Sequence, residues 1–163
     1  MNVRILFVCH GNICRSPMAE FVMKDMVEKR GIAGDFHIES AATTDEEIGN
    51  DIHHGTRKKL REEGVPFTRR SARRMVRGDY ANFDYLIGMD KYNIADMKYI
   101  AGGDPENKIH LMLNFTYRHG ESVADPWYTG DFDKTYDDIL AGCSGLLDRI
   151  LADGGRERKR ETK

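Results

Sequence analysis

Residues 3–16 read Val3-Arg4-Ile5-Leu6-Phe7-Val8-Cys9-His10-Gly11-Asn12-Ile13-Cys14-Arg15-Ser16, an apolar run that passes into a short polar stretch and then reaches Pro17. Apart from Arg4, Val3 to Val8 is apolar throughout, as expected of a parallel strand covered on both faces. Five residues separate Cys9 from Arg15, enough chain to wrap several backbone N–H groups around one centre. The N-terminus of a following helix would add its partial positive charge there. A phosphate or sulfate ion fits such a nest. An electropositive nest also activates thiols, since helix N-termini and nearby Arg lower a cysteine from ~8.5 to roughly 3.5–7.5, which nominates Cys9 as a nucleophile. Arg15 offers a planar fork for two phosphate oxygens, and Ser16 can donate a hydrogen bond to the sulfur. Gly11 and Asn12 tolerate left-handed backbone, Ser16 can cap the helix, and Pro17 suits its first position. His10, Gly11, Asn12, Ile13 and Cys14 complete the candidate cradle.

Outward from this stretch, strand and helix signals alternate. A helix is expected from Pro17 to Arg30, with Ala19, Val22, Met23, Met26 and Val27 at helical spacing and Gly31 as its stop. Strands follow at Phe36–Ala42, Asp84–Met89 and Ile109–Leu113, with helices over Asp51–Glu63 and after Asp90, which can cap. Tyr136, Ile139, Leu140, Cys143, Leu146, Leu147, Ile150 and Leu151 form the apolar stripe of a last helix, making Cys143 a core residue. Alternation of this kind predicts an α/β fold, a parallel sheet with helices on both faces. Ligands of such sheets lie beyond the strands' carboxyl ends, where Cys9 falls.

At 163 residues and 40% hydrophobic content, the chain suits one compact domain, expected over residues 1–153. A formal net charge of −2 gives no reason to expect a nucleic-acid partner. Arg156 to Lys163 carries five basic and two acidic residues and nothing apolar, so residues 154–163 are expected to form a disordered basic tail. Ile5 to Val8 is too short for a signal-peptide core or a membrane span, and the three cysteines do not read as a disulfide framework. A cytoplasmic monomer without membrane association is expected. His53 and His54 are adjacent, not an i, i+4 pair, and no metal-ligand spacing or cofactor motif is present.

The stretch VCHGNICRSPMAE, residues 8–20, resembles the signature of the low-molecular-weight protein tyrosine phosphatases, a Cys and an Arg with five residues between them, followed by Ser or Thr. The resemblance extends from Val3 to about Leu151 and takes in Ser40-Ala41-Ala42-Thr43, Glu47-Ile48-Gly49-Asn50 and Met89-Asp90. It implies four strands in the order 2-1-3-4, a phosphatase acting on phosphotyrosine-containing proteins, and Asn12 held by Ser16 and Ser40. It also implies that Cys14 can join Cys9 reversibly under oxidation. A His that many relatives place before an Ala-Arg pair is missing here, where the chain reads Thr68-Arg69-Arg70-Ser71-Ala72-Arg73-Arg74. That arginine-rich run is expected to be a solvated face, or else a recruiter of acidic substrates.

Ala124-Asp125-Pro126-Trp127-Tyr128 gains meaning beside the cysteine loop. Expelling a phenolate, whose conjugate acid has a pKa near ~10, calls for a proton donor. Asp125 is the candidate, and Trp127 and Tyr128 could wall a slot for an aryl ring. Three alternatives stand beside this one. Arsenate reductases of similar fold relay a disulfide through extra cysteines, for which only Cys143 is available. Phosphoarginine phosphatases tend to have Thr where this loop has Ile13. A non-catalytic phosphotyrosine-binding module would need neither Cys9 nor Asp125.

Overall fold

The strand Val3–Cys9 (β1) runs through the middle of a four-stranded parallel sheet. In this computed structural model, the backbone is described over residues 1–161 and the side chains over residues 1–154. On one side β1 pairs with β2 (Phe36–Ala42), and on the other with β3 (Tyr85–Gly88), beyond which lies β4 (Ile109–Leu111). The order β2-β1-β3-β4 is the 2-1-3-4 expected. Ile5, Phe7 and Cys9 enter the larger apolar core, while Leu6 and Val8 enter a second one with Met75, Leu86 and Met97. Both faces of β1 are therefore covered, which is why it reads as an unbroken apolar run.

Six helices complete the fold among the described residues: α1 (Arg15–Lys29), α2 (His54–Glu62), α3 (Asp79–Asn82), α4 (Lys91–Ala101), α5 (Pro126–Thr129) and α6 (Phe132–Glu161). Helix α1 starts two residues before Pro17, and its N-cap is Cys14, which makes no side-chain cap bond. Ser16 lies inside the first turn and does not cap; its hydroxyl is committed to the site described below. Helix α2 starts at His54, later than the expected Asp51, because Asp51 accepts from the Ile52 and Arg70 backbone N–H groups at 2.8 and 3.2 Å and so holds a loop. Asp90 caps α4 as expected, in a reciprocal box with Asn93.

β4 ends at Leu111, earlier than the expected Leu113, and Met112–Phe115 forms a 3-10 turn against α6. Gly145 permits that contact, since a Cβ there would stand 2.0 Å from the Phe115 carbonyl oxygen. The short helices α3 and α5 were not foreseen. The backbone of α6 continues to Glu161, over most of the stretch for which a disordered tail was expected. Side chains beyond Gly154, and residues 162 and 163, lie outside the described residues. No helix among the described residues is long and apolar enough to cross a membrane.

Candidate active site

Cys9 ends β1 beside Ala42 of β2, at the carboxyl edge of the sheet, and the chain then turns through residues 10–14 into α1. Asn12 takes φ 58°, a left-handed conformation for a residue with a side chain, and such a conformation costs on the order of 1 kcal/mol unless its surroundings fix it. They do. Asn12 is 1% exposed, and its Nδ2 donates to Ser16 Oγ at 2.8 Å and to Ser40 Oγ at 2.9 Å. Its Oδ1 accepts from the Arg73 backbone N–H at 3.2 Å. Ser40 Oγ in turn donates to Glu20 Oε1 at 2.6 Å, and Glu20 pairs with Lys24. The resemblance implied this support from Ser16 and Ser40, and the burial of Asn12 sets it behind the loop rather than on the face of the cradle.

In the stretch where that His is missing, Arg70 reaches the cysteine loop. Its Nη2 donates to the Asn12 carbonyl and its Nη1 to the Asn50 carbonyl at 3.1 Å, tying the cysteine loop to residues 50–51. Burial lowers the pKa of this guanidinium, opposed by the nearby Glu20, Cys9 and Asp51. Arg73 pairs with Asp79 and Glu39, and Arg74 with Asp45. Much of the run expected as a solvated face therefore joins loops together.

At the centre, the Ser16 backbone N–H donates to Cys9 Sγ at 3.4 Å, and Ser16 Oγ lies 3.1 Å from the same sulfur. Arg15 is 2% exposed. Its Nη1 donates to Asp90 Oδ2 at 2.8 Å and to the Val123 carbonyl at 3.0 Å, and its Nη2 meets Asp125 Oδ2 at 3.4 Å. Burial opposes the charge on Arg15, but Cys9, Asp90 and Asp125 outweigh it and raise the pKa. Asp90 was foreseen only as a helix cap. Its Oδ1 does cap, and its Oδ2 aims Arg15.

Asp125 likewise serves two partners, because its Oδ1 accepts from the Trp127 backbone N–H at 3.0 Å as the N-cap of α5. A cavity of about 120 Å³ is lined by Cys9, His10, Gly11, Ile13, Cys14, Arg15, Asp125, Trp127 and Tyr128, together with Glu46 and Glu47, which sequence reasoning missed. His10 pairs with Glu46 at 2.8 Å on its rim. Trp127 and Tyr128 stand 58% and 84% exposed, so the slot is open on its aromatic side. Asp131 and Asp133, the other carboxylates of that connection, are engaged elsewhere: Asp131 accepts from the Lys134 N–H, and Asp133 pairs with Lys59 at 2.7 Å.

Cys14 lines the cavity, and burial, helped by the negative charges of Cys9 and Asp125, pushes its pKa up to about 12. Cys143 lies wholly buried between α6 and the Ala19 carbonyl of α1, and burial raises its pKa as well. It has no access to the cavity as a disulfide relay. Among the described residues no group of His, Cys, Asp and Glu is arranged to hold a metal ion.

Residues 4–157 match the model of the low molecular weight phosphotyrosine protein phosphatase family. The low molecular weight protein-tyrosine-phosphatase YfkJ of Bacillus subtilis is 40% identical over 149 residues, covering 91% of this chain and 96% of its own. Its crystal structure superposes with a TM-score of 0.89 at 38% identity, over 94% of this chain and 97% of that one. The structure of a Drosophila arginine phosphatase superposes with a TM-score of 0.81 at 29% identity, over 90% and 96%. With a family match over nearly its whole length and a phosphatase relative at this identity, the chain belongs to the low-molecular-weight protein tyrosine phosphatase family.

Proposed function

We propose that this phosphatase hydrolyses phosphotyrosine in proteins through a cysteinyl-phosphate intermediate, without a metal. The observation that carries the reading is that a cysteine sulfur, a buried arginine fork and a carboxylate 3.4 Å from that fork line one cavity. In the first step the Cys9 thiolate attacks phosphorus, the bond from phosphorus to the phenolic oxygen breaks, and Asp125 gives its proton to the departing oxygen. In the second, Asp125 takes a proton from water, whose oxygen displaces Cys9 and releases inorganic phosphate. Arg15 and the N–H groups of residues 10–15 bind the phosphoryl oxygens throughout. Asp90 keeps one edge of the guanidinium fixed while an incoming dianion competes with Asp125 for the other.

The arginine phosphatase among the structural relatives supports a second reading, phosphoarginine. Ile13 at the cavity wall favours the aryl ester by offering an apolar surface. Turnover of phosphotyrosine, phosphoserine and phosphoarginine peptides in parallel, with and without chelator, separates these readings. Phosphotyrosine is expected to dominate and chelator to have no effect. The general acid is tested by single-turnover release of alcohol from a series of aryl phosphates. Asp125→Asn should lose roughly 10²–10⁴ for unsubstituted phenyl phosphate, the usual range for a general acid, and visibly less for nitrophenyl phosphate, whose leaving group needs no proton. An equal loss across the series would reduce Asp125 to its cap.

A further inference from the structure

His53 sits where the two loops of the site meet. Its backbone N–H donates to the Ile13 carbonyl at 2.9 Å, and three residues on Thr56 Oγ1 donates to the Cys14 carbonyl at 3.3 Å, so the start of α2 is fastened to the back of the cysteine loop. Its side chain faces the other loop. The His53 ring meets Trp127 edge-on, with centroids 5.6 Å apart and planes at 73°, and stacks on Phe132 at 5.6 Å and 16°. Trp127 belongs to α5, the single turn that Asp125 caps, and Phe132 follows that turn as the first residue of α6. Phe132 reaches this position because residue 55 is glycine: a Cβ there would stand 2.3 Å from its ring. The ring of His53 is itself oriented, since Nδ1 accepts from the Gly55 N–H at 3.0 Å. Burial and the neighbouring His54 and Arg57 lower its pKa, which preserves that acceptor.

We propose that His53 is the positioning residue of the acid-bearing turn, its ring holding Trp127 and Phe132 so that Asp125 stays over the pocket formed by Cys9 and Arg15. Edge-on and offset-stacked aromatic pairs at such separations are favourable beyond the area they bury. Misplacing a catalytic group by about 1 Å can cost 10²-fold. Trp127 is more than half exposed, so the ring on its covered side has a large share in where it rests. The inference depends on Asp125 being the general acid, as proposed above.

Two substitutions separate the ring from the cap. His53→Asn keeps an acceptor for the Gly55 N–H and the backbone bond to Ile13 but removes the ring. His53→Phe keeps the ring and removes the acceptor. Each is compared with wild type and Asp125→Asn by single-turnover release of alcohol from aryl phosphates, with the melting temperature followed in parallel. His53→Asn should lose about 10- to 100-fold on unsubstituted phenyl phosphate and less than about twofold on nitrophenyl phosphate, a weaker copy of the Asp125→Asn profile. His53→Phe should melt lower yet follow the wild-type profile. A flat profile for His53→Asn beside a graded one for Asp125→Asn would overturn the role of His53 alone. Equal grading in His53→Phe and His53→Asn would also overturn it, assigning the effect to the cap. A flat profile for Asp125→Asn would remove the general acid itself, and with it the premise.

Discussion

The two loops that face the cavity are built in opposite ways. The cysteine loop is buried and tied to distant parts of the chain: Asn12 and Arg15 are 1% and 2% exposed, and their partners lie as far off as Ser40, Arg73, Asp90 and Asp125. The Asp125 turn is exposed and closed largely on itself, with Trp127, Tyr128 and Thr129 all donating backbone N–H groups back to Asp125. The physical demands differ in the same sense. A phosphoryl group is the same in every substrate, and donors aimed at it act best when they need not reorganise. Under the proposed function the leaving group and the chain around it vary, so the side that would meet them stays open.

That contrast is broken most directly at Asn12. Asn12→Ala removes the bonds to Ser16, Ser40 and the Arg73 N–H and leaves an alanine at φ 58°. Neutral hydrogen bonds contribute about 0.5–1.5 kcal/mol each, so urea unfolding should show a loss of about 2–4 kcal/mol. With the loop no longer set, kcat/KM should fall by about 10²-fold for every leaving group alike. A loss that varied with the leaving group would mean that the two loops are not separate devices.

Arg70→Ala asks how much of the loop's order comes from one guanidinium. Hydrogen bonds to charged groups are worth roughly 1.5–3 kcal/mol, and Arg70 makes two to carbonyls of the Asn12 and Asn50 loops. Competitive inhibition by inorganic phosphate should weaken about tenfold, because a carbonyl left free to turn toward the anion repels it. Unchanged inhibition would return Arg70 to the solvated face expected from the sequence.

Local signals carried far in this chain, and contacts between distant residues did not. The apolar run of β1, the span Phe36–Ala42 and the Asp90 cap were all legible, because each depends on side-chain periodicity or on a donor within three residues. The left-handed position at Asn12 was legible from residue type. Arg70 was not: a cluster of arginines reads as charge, and its bond to Asn12 spans 58 positions. Asp90 and Asp125 lie 75 and 110 positions from the arginine they share. Nothing local announces that a helix cap also aims a guanidinium. In the sequence His53 invites only the metal-ligand reading, since ring stacking across α2, α5 and α6 leaves no spacing to find.

Oxidation tests the buried loop from its chemical side. If peroxide converts Cys9 to a sulfenic acid, the expected next step is its condensation with Cys14 to a disulfide, releasing water. The attacking species is the thiolate, and with the Cys14 pKa pushed up to about 12 its fraction rises about tenfold per pH unit below that value. Loss of the Cys9 charge on oxidation removes one cause of the shift, but burial, the larger one, stays. Disulfide formation should therefore speed up about tenfold per unit between pH 6 and 9. In Cys14→Ser, dithiothreitol should restore much less activity after peroxide. A rate independent of pH would show that Cys14 is not the attacking group.

The smallest effect belongs to the more exposed aromatic of the open loop. Tyr128 is 84% exposed and lines the cavity, so in the free protein its ring contributes little packing to lose. Its value should appear only when an aryl ring of substrate lies against it. An aromatic pair is worth about 0.5–1.5 kcal/mol beyond area burial, which corresponds to roughly 2- to 12-fold, 1.4 kcal/mol being tenfold. Tyr128→Ala should thus leave the melting temperature within about a degree of wild type and raise KM for phenyl phosphate about threefold, with kcat nearly constant, since the contact is made equally before and during reaction. An alkyl phosphate of similar size has no face to stack, and its KM should not change. The ratio of the two KM values isolates the ring from any general loosening of the turn, because loosening would displace Asp125 and lower kcat for both esters. If KM rose equally for alkyl and aryl phosphates, Tyr128 would be a lid over the cavity rather than a wall for the ring.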